Sequence, residues 1–397
     1  MTGPHRRLMT PMRARAADEP HRASTPLELL FDLCFVIAVA QAAGPLHHDI
    51  AENHVAHGLR GFFVVFFAIW WAWVNFSWFA SAYDTDDVVY RVTTLVQIAG
   101  ALVLAAGIGP AFATGDMRTS TIGYVVMRLA LVSQWLRAAR TDEKRRKTAT
   151  RYAIDVVAIQ SLWLLHLFVA SDSGLFLPTV AVLIVLELAV PIWAEAAPGG
   201  PTTFHPRHIA ERYGLFTIIV LGEAVASSTV AFRAALNEGG DHVGALLRVA
   251  VAGLVIVFLL WWLYFDRPAH ILLTSLRMSL LWSYGHYFIL ASAAAVGAGL
   301  GVAVDHAAHH SKISDVRAGY AIAVPVAVYL FFVWLLHLRP HQSGPALLAM
   351  PLGVVLALLT PLVPASIEAL AVLLVTLVVV SVVQGRSRRT GTDRPAT

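Results

Sequence analysis

The chain has 397 residues, of which 57% are hydrophobic and only 14% are charged. An ordinary soluble domain is about 25% charged, and several apolar runs of this chain reach the roughly 20 residues needed to cross a bilayer. The single cysteine, Cys34, excludes an intramolecular disulfide. The formal charge of +4 does not indicate nucleic-acid binding, because the basic residues lie in tails and loops that flank the apolar runs.

The apolar runs predict an all-α polytopic membrane protein with about 12 transmembrane helices. Breaking the runs at charged residues and at Pro and Gly clusters places the helices at 27–46, 56–81, 88–114, 120–140, 149–170, 174–196, 208–235, 242–265, 277–304, 315–338, 345–362 and 365–384. The connections are too short for a soluble domain, so one membrane domain surrounded by the lipid bilayer is expected.

An internal duplication of six plus six helices is also predicted. One fixed offset places Trp71 on Trp261 and "AAGIG" of the third helix on "AVGAG" of the ninth, although chance similarity between membrane helices is the alternative. The expected organisation is a disordered cytoplasmic tail over 1–23, a first six-helix half over 24–196, a second six-helix half over 197–385 and a cytoplasmic tail over 386–397.

Basic residues orient the predicted helices. Both terminal segments and the loop "RAARTDEKRRKTATR" are rich in arginine and lysine, which are retained on the cytoplasmic side of a membrane. Both termini are therefore expected in the cytoplasm, and this arrangement requires an even number of spans.

Small residues cluster in two of the predicted helices, as "AGALVLAAGIGPA" in the third and "ASAAAVGAGLGVA" in the ninth. Small side chains let helix backbones approach closely in a membrane. We interpret both runs as tight helix-packing faces, with a glycine-lined permeation path as the alternative.

Two carboxylates interrupt the first apolar run, "LELLFDLCFVIAVAQ". Glu28 and Asp32 are four residues apart and share one helical face, which Phe35 and Val39 continue. A charge in hydrocarbon costs about 2.5 to 3.5 kcal/mol on insertion scales, so such residues face a bundle interior, a partner or water. We interpret both acids, together with Gln41, as lining an ion, proton or substrate path; an interfacial pair satisfied by arginine or by the positive helix end is the alternative.

The seventh predicted helix repeats this pattern in "FHPRHIAERYGLFTIIVLGEAVASS". His208, Glu211 and Arg212 crowd its cytoplasmic end, and Glu223 follows near the middle of the membrane. Glu211 and Arg212 also fit an interfacial ion pair, whereas no charged residue lies within one helical turn of Glu223 in the sequence. Glu211, Arg212 and Glu223 are assigned to the same predicted path.

Two further intramembrane acids, Asp155 and Glu187, are interpreted as structural. Arg128 lies within a predicted span and can neutralise such a carboxylate, as can groups on neighbouring helices. Neither acid is assigned to the path.

Three acids follow the second helix in "SAYDTDDVVYR". Asp84, Asp86 and Asp87 are assigned to the candidate site together with Arg91, which is expected to pair with Asp87 one turn earlier. The three acids cannot share one helical face, although a loop could gather them around a metal ion or a diphosphate. Histidines in "HHDIAENHVAH" and "DHAAHH" match no metal-binding spacing, so neither a metal nor another cofactor is predicted.

Several of these stretches resemble the bacterial low temperature requirement A protein family (LtrA). The resemblance is carried by "ELLFDLCFVIAVAQ", "LHHDIAENHVAHG", "WWAWVNFSWFASAYDTDDVVYR", "HIAERYGLFTIIVLGEAV" and "WWLYFD", and it covers about residues 24–385. It implies a multi-pass protein of the bacterial inner membrane, from a family named for a cold-growth phenotype and without a settled biochemical activity.

Three functions fit the pattern. We favour a secondary transporter or permeation protein for an unidentified small solute, ion or proton, because buried carboxylates and duplicated helices are typical of such proteins. A membrane-embedded enzyme acting on a lipid-like or diphosphate substrate is the second hypothesis. A structural or sensory membrane protein without turnover is the third, and it is favoured if the buried acids prove to be ion-paired.

Overall fold

The computed structural model describes residues 7–16, 19, 23–169, 174–238, 243–342 and 346–392. Regular structure within these residues is entirely helical, which confirms the predicted all-α class. The α-helices are α1 (Pro26–Ala51), α2 (Val55–Tyr83), α3 (Val88–Ala106), α4 (Ile108–Thr114), α5 (Arg118–Thr141), α6 (Arg146–Val169), α7 (Phe176–Glu195), α8 (Pro206–Glu238), α9 (Val243–Phe265), α10 (Leu276–Ala307), α11 (Asp315–Val333), α12 (Ala346–Leu359) and α13 (Ser366–Thr392).

Each of the twelve predicted segments coincides with helical structure, and α3 and α4 together form the third segment. Eight spans in the described residues are long and apolar enough to cross a membrane: Pro26–Ala51, Val55–Tyr83, Val88–Thr114, Phe176–Glu195, Val243–Phe265, Leu276–Ala307, Asp315–His341 and Ser366–Val383. The chain is therefore a multi-pass membrane protein. The count of twelve spans stays a prediction.

Helix starts follow local capping signals in the sequence. At α1, the Thr25 hydroxyl accepts from the amide of Glu28 at 3.3 Å, while Glu28 Oε2 accepts from the amide of Thr25 at 2.7 Å. This reciprocal pair is a capping box, and Pro26 occupies the first helical position, where its missing N–H costs nothing. At α3, Asp87 is the N-cap and accepts from the amide of Tyr90 at 2.8 Å.

The chain divides into two compact units. The first contains the described residues up to Ala42 together with Phe63–Leu215, and within it α3 packs on α5, α5 on α6 and α6 on α7. The second contains Ala43–Phe62 and the described residues from Phe216 onward, and within it α10 packs on α11, α11 on α12 and α9 on α13. The predicted division into halves at 196/197 remains a prediction.

Helix α1 places polar residues inside and apolar residues outside. Glu28 and Asp32 are fully buried, and Phe35 and Val39 continue their face, as the spacing predicted. Leu29, Leu33 and Ile37 form the opposite face and are 42%, 57% and 46% exposed. Such an arrangement is unfavourable in water but suits a helix whose outer face contacts lipid chains.

The small-residue runs are packing faces, as predicted. A Cβ added at Gly100 of α3 would lie 2.9 Å from the carbonyl oxygen of Gly123 in α5, and a Cβ added at Gly123 would lie 2.3 Å from the backbone nitrogen of Leu104 in α3. A Cβ added at Gly299 of α10 would lie 2.2 Å from the carbonyl oxygen of Ala321 in α11. In both helix pairs only a glycine allows the observed approach of the two backbones.

Candidate functional site

The acidic face of α1 meets a basic face of α8 within the first unit. Glu28 Oε1 lies 3.1 Å from His208 Nε2, and Asp32 Oδ1 accepts a hydrogen bond from Arg212 Nη2 at 2.7 Å. His208 and Arg212 are four residues apart, as are Glu28 and Asp32, so two equally spaced helical faces meet in register. Because Glu28 is opposite His208 and Asp32 is opposite Arg212, α1 and α8 run in the same direction here.

Two side chains of α2 complete the surroundings of the Asp32–Arg212 pair. Trp73 Nε1 donates to Asp32 Oδ1 at 2.6 Å, and Arg212 Nη2 is 3.1 Å from the hydroxyl oxygen of Ser77, to which it donates. The guanidinium also lies 5.8 Å from the ring centroid of Phe76. All of these polar side chains are buried. Three helices therefore hold the arginine and the aspartate in one place.

Several polar atoms of this cluster make no hydrogen bond to the residues that the structure describes. They are Asp32 Oδ2, Arg212 Nε and Nη1, and both ring nitrogens of His208; Glu28 Oε1 is close to His208 but is not aligned for a hydrogen bond. A buried polar atom without a hydrogen bond costs about 1 to 3 kcal/mol, and more when the group is charged. The cluster can therefore gain free energy by binding a further polar or ionic group.

A second buried ion pair in the first unit has a different character. Glu187 of α7 accepts from Trp71 Nε1 at 2.8 Å and Arg128 Nη2 at 2.9 Å through Oε2, and from the Tyr124 hydroxyl at 2.9 Å and Gln160 Nε2 at 3.0 Å through Oε1. Each carboxylate oxygen thus has two donors. The structural role expected for Glu187, with Arg128 as its neutralising partner, agrees with this geometry.

The three acids after α2 have three separate sets of partners. Asp87 accepts from Arg137 through both carboxylate oxygens, and from the amide and hydroxyl of Thr10 at 2.8 Å each. Although burial disfavours its charge, these bonds and the one from the Tyr90 amide hold the pKa of Asp87 below its ordinary value. Asp87 thereby anchors residues 7–16, part of the tail expected to be disordered, with Met12 buried in the same unit.

The predicted Arg91–Asp87 pair is wrong. Arg91 instead binds Asp86 through two hydrogen bonds of 2.7 and 3.0 Å. Asp87 is the N-cap of α3, with an extended backbone at φ −87° and ψ 173°, so it precedes the helical face that carries Arg91. The four-residue spacing rule applies only between residues that are both within a helix.

Asp84 lies near the Glu28 end of the cluster. Its side chain is 4% exposed, and burial, followed by the negative charge of Glu28, raises its pKa to about 7. Arg15 Nη1 lies 3.6 Å from Asp84 Oδ2, and the amide of Asp86 donates to Asp84 Oδ1 at 3.2 Å. Asp84 and Glu28 therefore lie within electrostatic range of each other.

The remaining candidate residues lie elsewhere. Gln41 is on an exposed face of α1, two turns beyond Asp32. Glu211 is exposed and accepts from the amide of Ser24 at 3.2 Å. Glu223 belongs to the second unit, is half-buried and lies eleven residues beyond Arg212 along α8, about 16 Å by the helical rise. The structure thus brings together four of the ten candidates, namely Glu28, Asp32, Asp84 and Arg212.

Sequence reasoning left Trp73 and Ser77 out of the site and gave His208 no role. The equal four-residue spacing of Glu28 with Asp32 and of His208 with Arg212 is a signal that could have paired the two helices. Nothing in the aromatic-rich sequence of α2 distinguishes Trp73, whose ring nitrogen binds Asp32, from its neighbouring tryptophans.

Comparison with known proteins agrees with the membrane architecture. Residues 23–384 match the family described as "Bacterial low temperature requirement A protein (LtrA)". A curated relative, an uncharacterized protein of Rhizobium meliloti (strain 1021), is 25% identical over 291 residues, which cover 67% of this chain and 65% of the relative. The chain thus spans just under two thirds of the length of that relative.

Proposed function

The chain belongs to the bacterial low temperature requirement A protein family, and we propose that it is a permeation protein or secondary transporter of the bacterial inner membrane that moves a proton or a small cation. The site is the cluster of Glu28, Asp32, His208 and Arg212, with Asp84 beside it.

The observation that carries the proposal is the contrast between the carboxylates of two buried ion pairs in the first unit. Glu187 receives four hydrogen bonds, whereas Asp32 has one oxygen with two donors and the other with none among the described residues. A carboxylate that only stabilised the fold would be expected to be saturated like Glu187, because each unmade bond costs stability. The open oxygen of Asp32 supports a binding role.

The charge of the cluster indicates the class of ligand. Glu28 and Asp32 carry two negative charges against the one permanent positive charge of Arg212. A proton on His208 or a bound cation supplies the missing positive charge, and buried charges are stable only when they are paired. The cluster therefore suits a cation better than an anion.

A count of twelve membrane spans includes helices that are not among the eight apolar ones, such as α5 and α8. The polar contacts of these two helices are compatible with a position inside the membrane. α5 and α8 carry Arg128 and Arg212, which lower their mean hydropathy, but each arginine is buried and paired with a carboxylate. Paired charges are tolerated in the interior of a membrane bundle. With twelve spans and the cytoplasmic bias of basic residues, both termini lie in the cytoplasm.

The parallel contact of α1 with α8 supports a duplication. These helices are the first of each predicted six-helix half, and parallel repeats are related by an axis along the membrane normal. The site would then lie where the first helices of the two halves meet.

Catalysis on a diphosphate substrate has less support. Asp84, Asp86 and Asp87 have separate partners, and the described residues hold no group of three or more His, Cys, Asp or Glu side chains arranged for a metal ion. A structural role without turnover is supported by the pairing of the buried acids, since Asp32 lies against Arg212, Glu28 against His208 and Glu187 against Arg128. It is the alternative that the experiment below separates from permeation.

The test is ion flux into liposomes containing the purified full-length protein, with a pH-sensitive dye inside and an imposed pH gradient, with and without added Na⁺ or K⁺. Wild type is compared with Asp32→Asn, Glu223→Gln and the double variant Asp32→Asn/Arg212→Gln, which removes both charges together. Glu187→Gln is the matched control for a buried carboxylate outside the site.

We expect flux from wild type, and its loss in Asp32→Asn and in the double variant, while folded Glu187→Gln retains it. The comparison with Glu223→Gln shows whether this half-buried carboxylate of the second unit also contributes to flux. Flux that equals empty liposomes with folded wild type, or that is the same in wild type and in both Asp32 variants, would overturn the proposal.

A further inference from the structure

The second unit contains a buried group of nitrogen and oxygen donors that the proposed permeation site does not use. His286 of α10 and His337, in the π-helical turn Trp334–Leu338 that follows α11, are 0% and 1% exposed. Tyr264 of α9 is also buried. The His286 Nε2 atom lies 3.1 Å from His337 Nε2 and 3.1 Å from the Tyr264 hydroxyl oxygen.

The tautomer of His286 follows from its other nitrogen. Nδ1 lies 2.7 Å from the carbonyl oxygen of Trp282, and because a carbonyl only accepts, Nδ1 must carry the proton. Nε2 of a neutral His286 therefore presents a lone pair. Metal-binding histidines are commonly oriented in this way, with the second nitrogen donating to a backbone carbonyl.

Three atoms that carry lone pairs converge in this group. The lone pair of His286 Nε2 faces both the Tyr264 hydroxyl and His337 Nε2. If His337 carries its proton on Nε2, that nitrogen donates to His286 Nε2; if it carries the proton on Nδ1, two lone pairs face each other at 3.1 Å. His337 Nδ1 has no hydrogen-bond partner among the described residues. A cation placed between the three atoms would use all three as electron-pair donors.

We infer that His286, His337 and Tyr264 form a binding site for a divalent first-row transition metal ion such as Zn²⁺ or Cu²⁺. Two nitrogens bound at about 2.05 Å and separated by the observed 3.1 Å subtend about 98° at the metal, between octahedral and tetrahedral angles. Imidazole and phenol donors suit zinc and copper rather than magnesium or calcium. A phenolate from Tyr264 would offset one of the two charges of the ion.

The surrounding helix geometry also favours a site. The turn Trp334–Leu338 is π-helical, and such departures from α-helical geometry often occur at functional positions. His341 Nδ1 donates to the carbonyl oxygen of His337 at 2.9 Å, which stabilises that turn.

The test uses full-length protein purified in detergent, stripped with a chelator, loaded with Zn²⁺ or Cu²⁺ and desalted. Retained metal is measured by mass spectrometry, and the Cu²⁺ form by electron paramagnetic resonance and visible absorption. His286→Gln and His337→Gln are compared with His166→Gln, a buried histidine of the first unit, and with the loop variants His309→Gln and His310→Gln.

We expect one equivalent of retained metal in wild type and in the three control variants, and a loss of affinity of about tenfold or more in His286→Gln and His337→Gln. Folded Tyr264→Phe should lose the phenolate-to-copper absorption band while changing the copper resonance, which keeps the test decisive if the histidine variants do not fold. Equal metal retention in all variants, or no retention in wild type, would overturn the site. Neither result depends on ion flux, so this test of the metal site is independent of the permeation proposal.

Discussion

Asp32 and Arg212 are 180 residues apart in the chain, and their side chains meet at 2.7 Å in the buried interior of the first unit. Removing one member of a buried ion pair leaves the other charge uncompensated, at a cost of about 3 to 5 kcal/mol. We therefore expect Arg212→Gln to lower the thermal stability of the detergent-purified protein strongly, and Asp32→Asn/Arg212→Gln to lose less stability than the two single variants added together.

The Arg128–Glu187 pair provides the comparison for this double-mutant cycle. Because Glu187 also receives bonds from Trp71, Tyr124 and Gln160, its removal disturbs more groups than the removal of Arg128 alone. Glu187→Gln should therefore lose more stability in total than Asp32→Asn. Additive losses at Asp32 and Arg212 would mean that their contact contributes nothing to the fold.

The stability of the fold should depend on pH through Asp84. Burial raises the pKa of this carboxyl to about 7 from an ordinary value of 3.8, so the folded state keeps a proton that the unfolded state has already released above pH 4. The protonated carboxyl therefore stabilises the fold fully below about pH 4. This stabilisation is lost as the pH rises to about 7, and the loss is on the order of 4 kcal/mol. Asp84→Asn should remove this loss.

The measurement is the thermal denaturation midpoint in detergent at several pH values between 4 and 8. The stabilisation of Asp84→Asn over wild type should be near zero at the acidic end and largest at pH 8. Asp86→Asn is the control, because Asp86 is exposed and paired with Arg91. A constant difference between Asp84→Asn and wild type at every pH would contradict the assignment.

The N-terminal segment should detach when Asp87 loses its charge. Asp87→Asn keeps a side-chain oxygen for the N-cap of α3 but loses the ionic bond to Arg137, and it weakens the contacts to Thr10. A hydrogen bond to a charged group contributes about 1.5 to 3 kcal/mol, so amide hydrogen exchange of residues 7–16 should accelerate about 10- to 150-fold. Glu143→Gln, which alters an exposed acid, should leave that exchange unchanged. Unchanged protection in Asp87→Asn would show that other contacts hold the segment.

The helices and the acidic face of α1 could be predicted because both are local. Apolar runs located the long α-helices, and a spacing of three and four residues placed Glu28, Asp32, Phe35 and Val39 on one buried face. The partners of these acids could not be predicted, because Arg212 lies at a large sequence separation and many arginines compete for the role. The Arg91–Asp87 prediction failed for a different reason, since it treated the N-cap residue as part of the helix.

Replacement of glycine by alanine should lower stability where the glycine allows a close helix contact and should not lower it where the glycine faces open space. Gly299→Ala places a methyl group 2.2 Å from the carbonyl oxygen of Ala321, a backbone atom that can move only with α11. Gly222→Ala, inside α8, meets no atom of the described residues within 4 Å. An alanine is favoured over glycine in a helix by about 1 kcal/mol, whereas an overpacked contact costs about 1 to 3 kcal/mol. In thermal denaturation, Gly222→Ala should therefore be neutral or stabilising and Gly299→Ala destabilising. Equal midpoints for the two variants would mean that α10 and α11 separate easily at this contact.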